Sequence, residues 1–166
     1  MAEREMIVDH LRLTYEGLFD ASQLYKMIDE WFRTKGYDKW EIKNIEKVRP
    51  EGKYIEVILM PWKKMTDYLM FEIKVRMIIT NLKEVEVEKD GRKVRLNQGS
   101  VQLVFDGYFT TDYEKRWEEK PMYFFIRAIM DKFFLNPYTD KYKGLLISDV
   151  NHLHSTVKAF LNLYRY

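Results

Sequence analysis

The sequence contains no cysteine, which excludes disulfide bonds, thiolate metal sites and cysteine nucleophiles. It also lacks a glycine-rich phosphate-binding loop and the serine-containing turn of the hydrolases. No apolar run approaches the ~18 residues of a membrane helix, and none of signal-peptide length follows the charged N-terminus. We therefore expect a cytoplasmic protein.

Neither sign of charge dominates the chain. Lys plus Arg number 28 and Asp plus Glu number 26, so the formal net charge is only +2. This balance argues against nucleic acid and membrane surfaces as partners. The 166 residues, 46% hydrophobic and 33% charged, suit one globular domain over 1–166. Abundant Lys and Glu without Cys is a composition that suits a thermophile.

The first third of the chain predicts a strand, a helix and two further strands. Residues 5–16 alternate between apolar and polar positions. Asp20 then begins a helix over 20–35, with Gln23 completing a capping box and Gly36 at the C-terminal position. Residues 38–48 and 53–60 are the next strands.

The middle of the chain predicts one long, bent β-hairpin that joins 67–89 to 92–111. Asp90-Gly91 is a two-residue turn, and it pairs residues whose numbers sum to 181, such as Val87 with Val94. The apolar positions change parity beyond Gly99, so we expect a β-bulge there on the second strand. The expected pairs after this bulge are Ile79 with Leu103 and Met77 with Phe105.

Two helices are predicted at the end of the chain. The first covers 121–134, and Asn136-Pro137 ends it. Its expected inner stripe consists of Met122, Phe125, Ile126, Ile129 and Phe133. The second follows Gly144 and carries a long apolar face.

This order of elements resembles the START/Bet v 1-like (SRPBCC) superfamily. We expect an α+β fold in which a curved antiparallel sheet grips a long C-terminal helix. One helix follows the first strand, and an extra helix precedes the last one. The resemblance implies an apolar cavity between sheet and helix, in which members of the superfamily bind lipids, sterols or other hydrophobic ligands.

The residues expected to line such a cavity come from the strands and from the last helix. They are Asp9, Leu13, Phe71, Val75, Leu103, Phe105, Asp149, Leu153, His154 and Val157.

Few polar residues carry a chemical signal. Asp9 is the one charge on the apolar face of the first strand, so alternation places it near the interior. His152 and His154 are two residues apart on a helix and point to different sides, so we predict no metal site. Trp62 and Lys63-Lys64 are expected in a loop, where they could stack on a nucleic acid or cover a sheet edge. No cofactor motif is present, and we assign no catalytic residue.

Three functions remain open. The first is a non-enzymatic module that binds a small hydrophobic ligand in the cavity. The second is a protein-interaction or homodimeric module with a filled core, whose interface includes Phe124, Met130 and Phe134 on the sides and back of helix 121–134. The third is a cavity enzyme that uses a carboxylate such as Asp9 as acid or base.

Overall fold

The computed structural model describes residues 3–114, 121–130 and 136–164, and it has the predicted α+β fold. A curled antiparallel sheet of six strands has one helix after its first strand and a C-terminal helix packed on it. The elements are β1 (Glu3–Phe19), α1 (Ala21–Thr34), β2 (Glu41–Arg49), β3 (Gly52–Leu59), β4 (Trp62–Lys64), β5 (Leu69–Lys89), β6 (Arg92–Thr111), α2 (Pro121–Met130) and α3 (Asn136–Asn162). The strand order is β1-β6-β5-β3-β2, and β4 also pairs with β5.

The predicted start of α1 is confirmed. The Asp20 side chain accepts a hydrogen bond from the backbone N–H of Gln23 at 2.9 Å, which satisfies one of the free amides of the first turn. Gly36 follows the helix with a φ of +81°, a conformation that glycine adopts without strain.

The hairpin register next to the Asp90-Gly91 turn is confirmed. Val87 lies opposite Val94 and Glu86 opposite Arg95. The numbers of paired residues sum to 181 from the turn as far as the pair Lys83 and Gln98. Turn geometry sets the register of an antiparallel pair over this distance.

The predicted position of the bulge is wrong, because the extra residue lies on β5 and not on β6. Asn81 and Leu82 together face Gly99, and Asn81 has a φ of +55°. A Cβ atom on Gly99 would lie 3.0 Å from the Thr80 carbonyl oxygen, so the missing side chain makes room for the bulge. Ile79 consequently pairs with Val101, not with Leu103 as expected. Met77 pairs with Leu103, and Phe105 lies opposite Val75.

The hydrophobic core lies between the sheet and the helices α1 and α3. The odd-numbered residues from Leu69 to Ile79 on β5 are buried on the side that we call the helix-covered face. The opposite side, called the open face, carries Glu56, Glu72 and Arg76. Helix α3 packs against β1 and β6 and approaches closely at Gly107. A Cβ atom there would lie 3.2 Å from Val150 Cγ2, so only glycine fits without displacement.

The last helix begins earlier than the sequence predicts. The described part of the helix already includes residues 136–143, so the expectation that the last helix follows Gly144 is wrong. None of the described helices is long and apolar enough to cross a membrane.

We expect the apolar face of α3 to dominate the stability of the fold. Leu153 is 0% exposed, whereas Leu163, near the end of the same helix, is 71% exposed. Leu153→Ala should lower the free energy of unfolding by about 2–5 kcal/mol, because it leaves a cavity in the core. Leu163→Ala is the matched control and should change it by less than about 0.5 kcal/mol. Urea unfolding of both variants measures the difference, and equal effects would contradict this packing.

Candidate functional site

The apolar residues predicted to line a ligand cavity are packed in the core. Phe71, Val75, Leu103, Phe105, Leu153 and Val157 are each 0–1% exposed, and Leu13 packs against the same cluster. Side chains around a space large enough for a ligand would lack neighbours on one side. The packing of these residues therefore gives no support to a ligand cavity between the sheet and α3.

Two polar residues expected at the cavity instead attach α3 to the rest of the fold. Asp149 accepts a hydrogen bond from the Tyr37 hydroxyl at 2.8 Å. Burial and the adjacent Asp149 carboxylate raise the pKa of the Tyr37 phenol, so it stays protonated as a donor. His154 donates from Nε2 to the Arg12 carbonyl oxygen at 3.2 Å, and its ring lies edge-on to Phe105.

His152 links α3 to α1. Its Nδ1 atom accepts a hydrogen bond from the Trp31 indole at 2.9 Å, and the two rings lie 5.9 Å apart. From the helical spacing of the apolar stripe, His152 is predicted to face solvent. The contact was missed because helical periodicity describes one helix and says nothing about which second helix will pack beside it.

The expectation that Asp9 lies near the interior is wrong. Its side chain is 70% exposed and contacts the imidazole of His10, whose φ is +51°. β1 changes register between Val8 and Leu11, and this irregularity ends the alternation from which the expectation was drawn. The same irregularity brings Asp9 and His10 together, although a regular strand would separate them.

Asp106 completes a small cluster with Asp9 and His10. Its buried carboxylate accepts a hydrogen bond from the His10 backbone N–H at 2.7 Å, and the three possible ligand atoms lie within 4.8 Å of one another. One imidazole and two carboxylates can hold a divalent cation. The bonds within the cluster also explain the arrangement without an ion, so we assign no metal to it.

The carboxylates of the open face are paired with bases. The Glu56 carboxylate lies 2.9 Å from Lys43 Nζ and 3.2 Å from the guanidinium group of Arg76. Glu72 lies 2.9 Å from Arg4. The Glu56 pairs join neighbouring strands, and the Arg4–Glu72 pair reaches across β6 from β1 to β5. Ion pairs between strands stabilise the sheet, and they leave these carboxylates poorly suited to acid or base catalysis.

Trp62 lies in strand β4, where it pairs with Glu72 of β5, and not in the expected loop. Lys63 is also occupied, because its ammonium group donates to the Lys35 carbonyl oxygen at 2.7 Å. The aromatic and basic residues read as a possible nucleic-acid contact thus help to hold β4 and the end of α1 in place.

The apolar stripe of α2 is exposed, which corrects the predicted orientation of this helix. Met122, Phe125, Ile126 and Ile129 were expected to face the core, yet they are 41–74% exposed. Phe133 and Phe134 lie outside the described residues, as do the side chains of Phe124 and Met130. The proposed interface residues on the sides of this helix therefore stay a prediction.

A second exposed apolar region lies along β2 and was missed from the sequence. Trp40, Ile42 and Val48 are all exposed, and Trp40 borders a cleft of about 160 Å³ that Phe32 and Leu59 also line. The signal was available, since these three large apolar residues fall among charged and polar ones over nine positions. The sequence predicts a strand whose period breaks between Ile42 and Ile45, but it does not show that β2 lies at a sheet edge.

Comparison with known proteins adds no relative. No family model, no curated protein and no solved structure matches the chain. The resemblance to the START/Bet v 1-like superfamily therefore stays a prediction based on the order of elements.

We predict that Glu56 makes stability dependent on pH. Hydrogen bonds from Lys43 above all hold the pKa of this carboxyl below its ordinary value. The stabilisation is thus fully present above the ordinary glutamate pKa of about 4.3, and it is lost as the pH falls through the lower pKa of the folded state. Glu56→Gln should lower the melting temperature at pH 7 and should lower it less at pH 3. Glu88→Gln, at the exposed end of the hairpin, is the control, and equal effects of Glu56→Gln at both pH values would contradict the prediction.

Proposed function

We propose that the chain is a non-enzymatic protein-interaction module, and that α2 is the element that binds a partner protein. The observation that carries this proposal is the exposure of four large apolar side chains, Met122, Phe125, Ile126 and Ile129, on one short helix. Burying side chains of this size contributes about 1.5–3 kcal/mol each. Such a patch on a protein in water is typical of a contact surface.

The spacing of the four residues supports a helix that enters an apolar groove. They fall at positions i, i+3, i+4 and i+7, which is the pattern of helices recognised in this way. Within the described part of the helix, 121–130, Arg127 is the only charged residue in the sequence. The four exposed residues lie on one face, and an apolar face of this kind fits the walls of an apolar groove.

A membrane surface is a poorer occupant for the same helix. Helices that lie in the membrane interface carry a strongly charged face rich in Lys and Arg. The predicted helix 121–134 has only Arg127, Asp131 and Lys132 as charged residues, too few for a face rich in Lys and Arg. The partner we propose is therefore a protein with an apolar groove, and lipid binding is one of the outcomes that the experiment below distinguishes.

The filled core supports a function at the surface. The side chains expected around a ligand occupy the space between sheet and α3, and the polar groups on α3 bind to the fold itself. The carboxylates Glu56 and Glu72 are paired with bases. Neither ligand binding nor catalysis finds comparable support among the described residues.

A photo-crosslinking experiment followed by binding measurements tests the proposal. A photoreactive phenylalanine at position 125 should crosslink one protein in an extract of the native host, whereas the same group at the exposed Val94 should not. The partner is then purified, and its affinity is measured by calorimetry. Phe125→Ser and Ile129→Ser should each weaken binding by at least about tenfold, because every 1.4 kcal/mol corresponds to a factor of ten.

Two controls make the result decisive. Val94→Ser, outside α2, should leave the affinity unchanged, and the α2 variants should melt at the temperature of the parent chain. A drop in their melting temperature would mean that the stripe is buried within the chain and would contradict the proposal. Crosslinks only to a second copy, or binding to anionic vesicles in place of a protein, would also contradict it.

A further inference from the structure

Strand β2 lies at one edge of the sheet, and in the part of the chain that the structure describes it pairs only with β3. Its other side offers a row of backbone N–H and C=O groups that can pair with a further strand. Ile42 and Val48, near the two ends of β2, are 50% and 80% exposed. We infer that this edge pairs with the same edge of a second copy of the chain.

The faces of β2 restrict how two copies can pair. A twofold axis perpendicular to the sheet makes the two β2 strands antiparallel and keeps both helix-covered faces on one side. Residues directly opposite each other then share a face, so the sum of their numbers is even. Asn44 lies on the helix-covered face because it pairs with Val57, and Ile45 lies on the open face opposite Glu56.

One register matches the side chains of the two copies. When opposite residues sum to 90, Ile45 meets Ile45 at the axis. Val48 of each copy then lies beside Ile42 of the other, at the point where β2 changes register between Glu41 and Lys43. Asn44 then lies opposite Glu46, where its amide group can donate to the carboxylate. These pairs are of the kinds that stabilise antiparallel sheets.

The neighbouring registers are worse. A sum of 88 places Lys43 opposite Ile45, and a sum of 92 places Glu46 opposite its own copy. Apolar groups opposite charges, or two like charges, destabilise a strand pair. The register of 90 has one unfavourable pair, Lys43 with Lys47. That repulsion is reduced because the Lys43 ammonium already lies 2.9 Å from the Glu56 carboxylate.

Disulfide trapping tests the register directly, because the chain has no cysteine of its own. In the proposed pair, the two Ile45 Cα atoms lie about 4.5–5.5 Å apart, within the range that a disulfide spans. The two Asn44 Cα atoms lie about 8 Å apart, beyond that range. Under mild oxidation Ile45→Cys should form a covalent dimer at least about tenfold faster than Asn44→Cys. Equal rates, or a faster Asn44→Cys, would overturn the register.

Sedimentation equilibrium tests the association without crosslinks. A contact of one strand pair is small, so we expect a weak dimer that is populated at about 0.5 mM. The parent chain should then approach twice 20.3 kDa, and Val48→Lys should return the mass to 20.3 kDa. Val94→Lys, an exposed valine on β6, is the matched control and should remain dimeric. A monomeric parent chain at this concentration, or a dimeric Val48→Lys variant, would overturn the inference.

This inference does not rest on the function proposed for α2. Val48→Lys should leave partner binding through α2 intact at concentrations where the chain is monomeric, and Phe125→Ser should leave the mass at 0.5 mM unchanged. Failure of the β2 pairing and failure of α2 binding therefore give different results.

Discussion

The fold depends on covering the apolar face of the β5–β6 hairpin, which is buried along most of two strands of about twenty residues. β1 extends this face on one side, and α1 and α3 lie over it. The close approach of α3 to the sheet is favoured by glycine at position 107, where a Cβ atom would press on Val150. The bonds from Tyr37 to Asp149 and from Trp31 to His152 then hold α3 in place. These contacts therefore involve the buried residues and the polar side chains of α3 that were expected at a ligand cavity.

The proposed function lies at the surface, where the described residues form two exposed apolar regions. One is the stripe of α2, and the other lies along the free edge of β2. They differ in kind, because a helix binds through side chains, whereas a strand edge also uses backbone hydrogen bonds. A dimer formed through β2 would carry two copies of α2. Linked sites of this sort bind a partner with two grooves more tightly than either site alone.

Local chemistry accounts for the parts of the fold that could be predicted. The Asp20 cap, the Asp90-Gly91 turn and the alternation of β5 each involve residues close together in the chain. The position of the hairpin bulge could not be predicted, since an extra residue on either strand restores the same alternation. Only the contact between Asn81 and Gly99 decides between the two strands. The last helix was predicted to follow Gly144, because glycine often marks a helix boundary, yet α3 runs through this residue.

The candidate sites were less predictable than the fold, because they depend on which surfaces remain uncovered. Periodicity correctly grouped Met122, Phe125, Ile126 and Ile129 on one face of a helix, but it could not tell whether that face meets the core or solvent. Alternation likewise placed Asp9 inside, until the irregularity in β1 turned it outward. The sequence by itself determined most of the elements, though not β4 or the early part of α3, and the register beside the tight turn, because these follow from short-range geometry. The tertiary structure alone decided that the residues expected around a ligand pack in the core, that β2 is an edge and that the described stripe of α2 is exposed, because burial depends on how elements distant in sequence pack together.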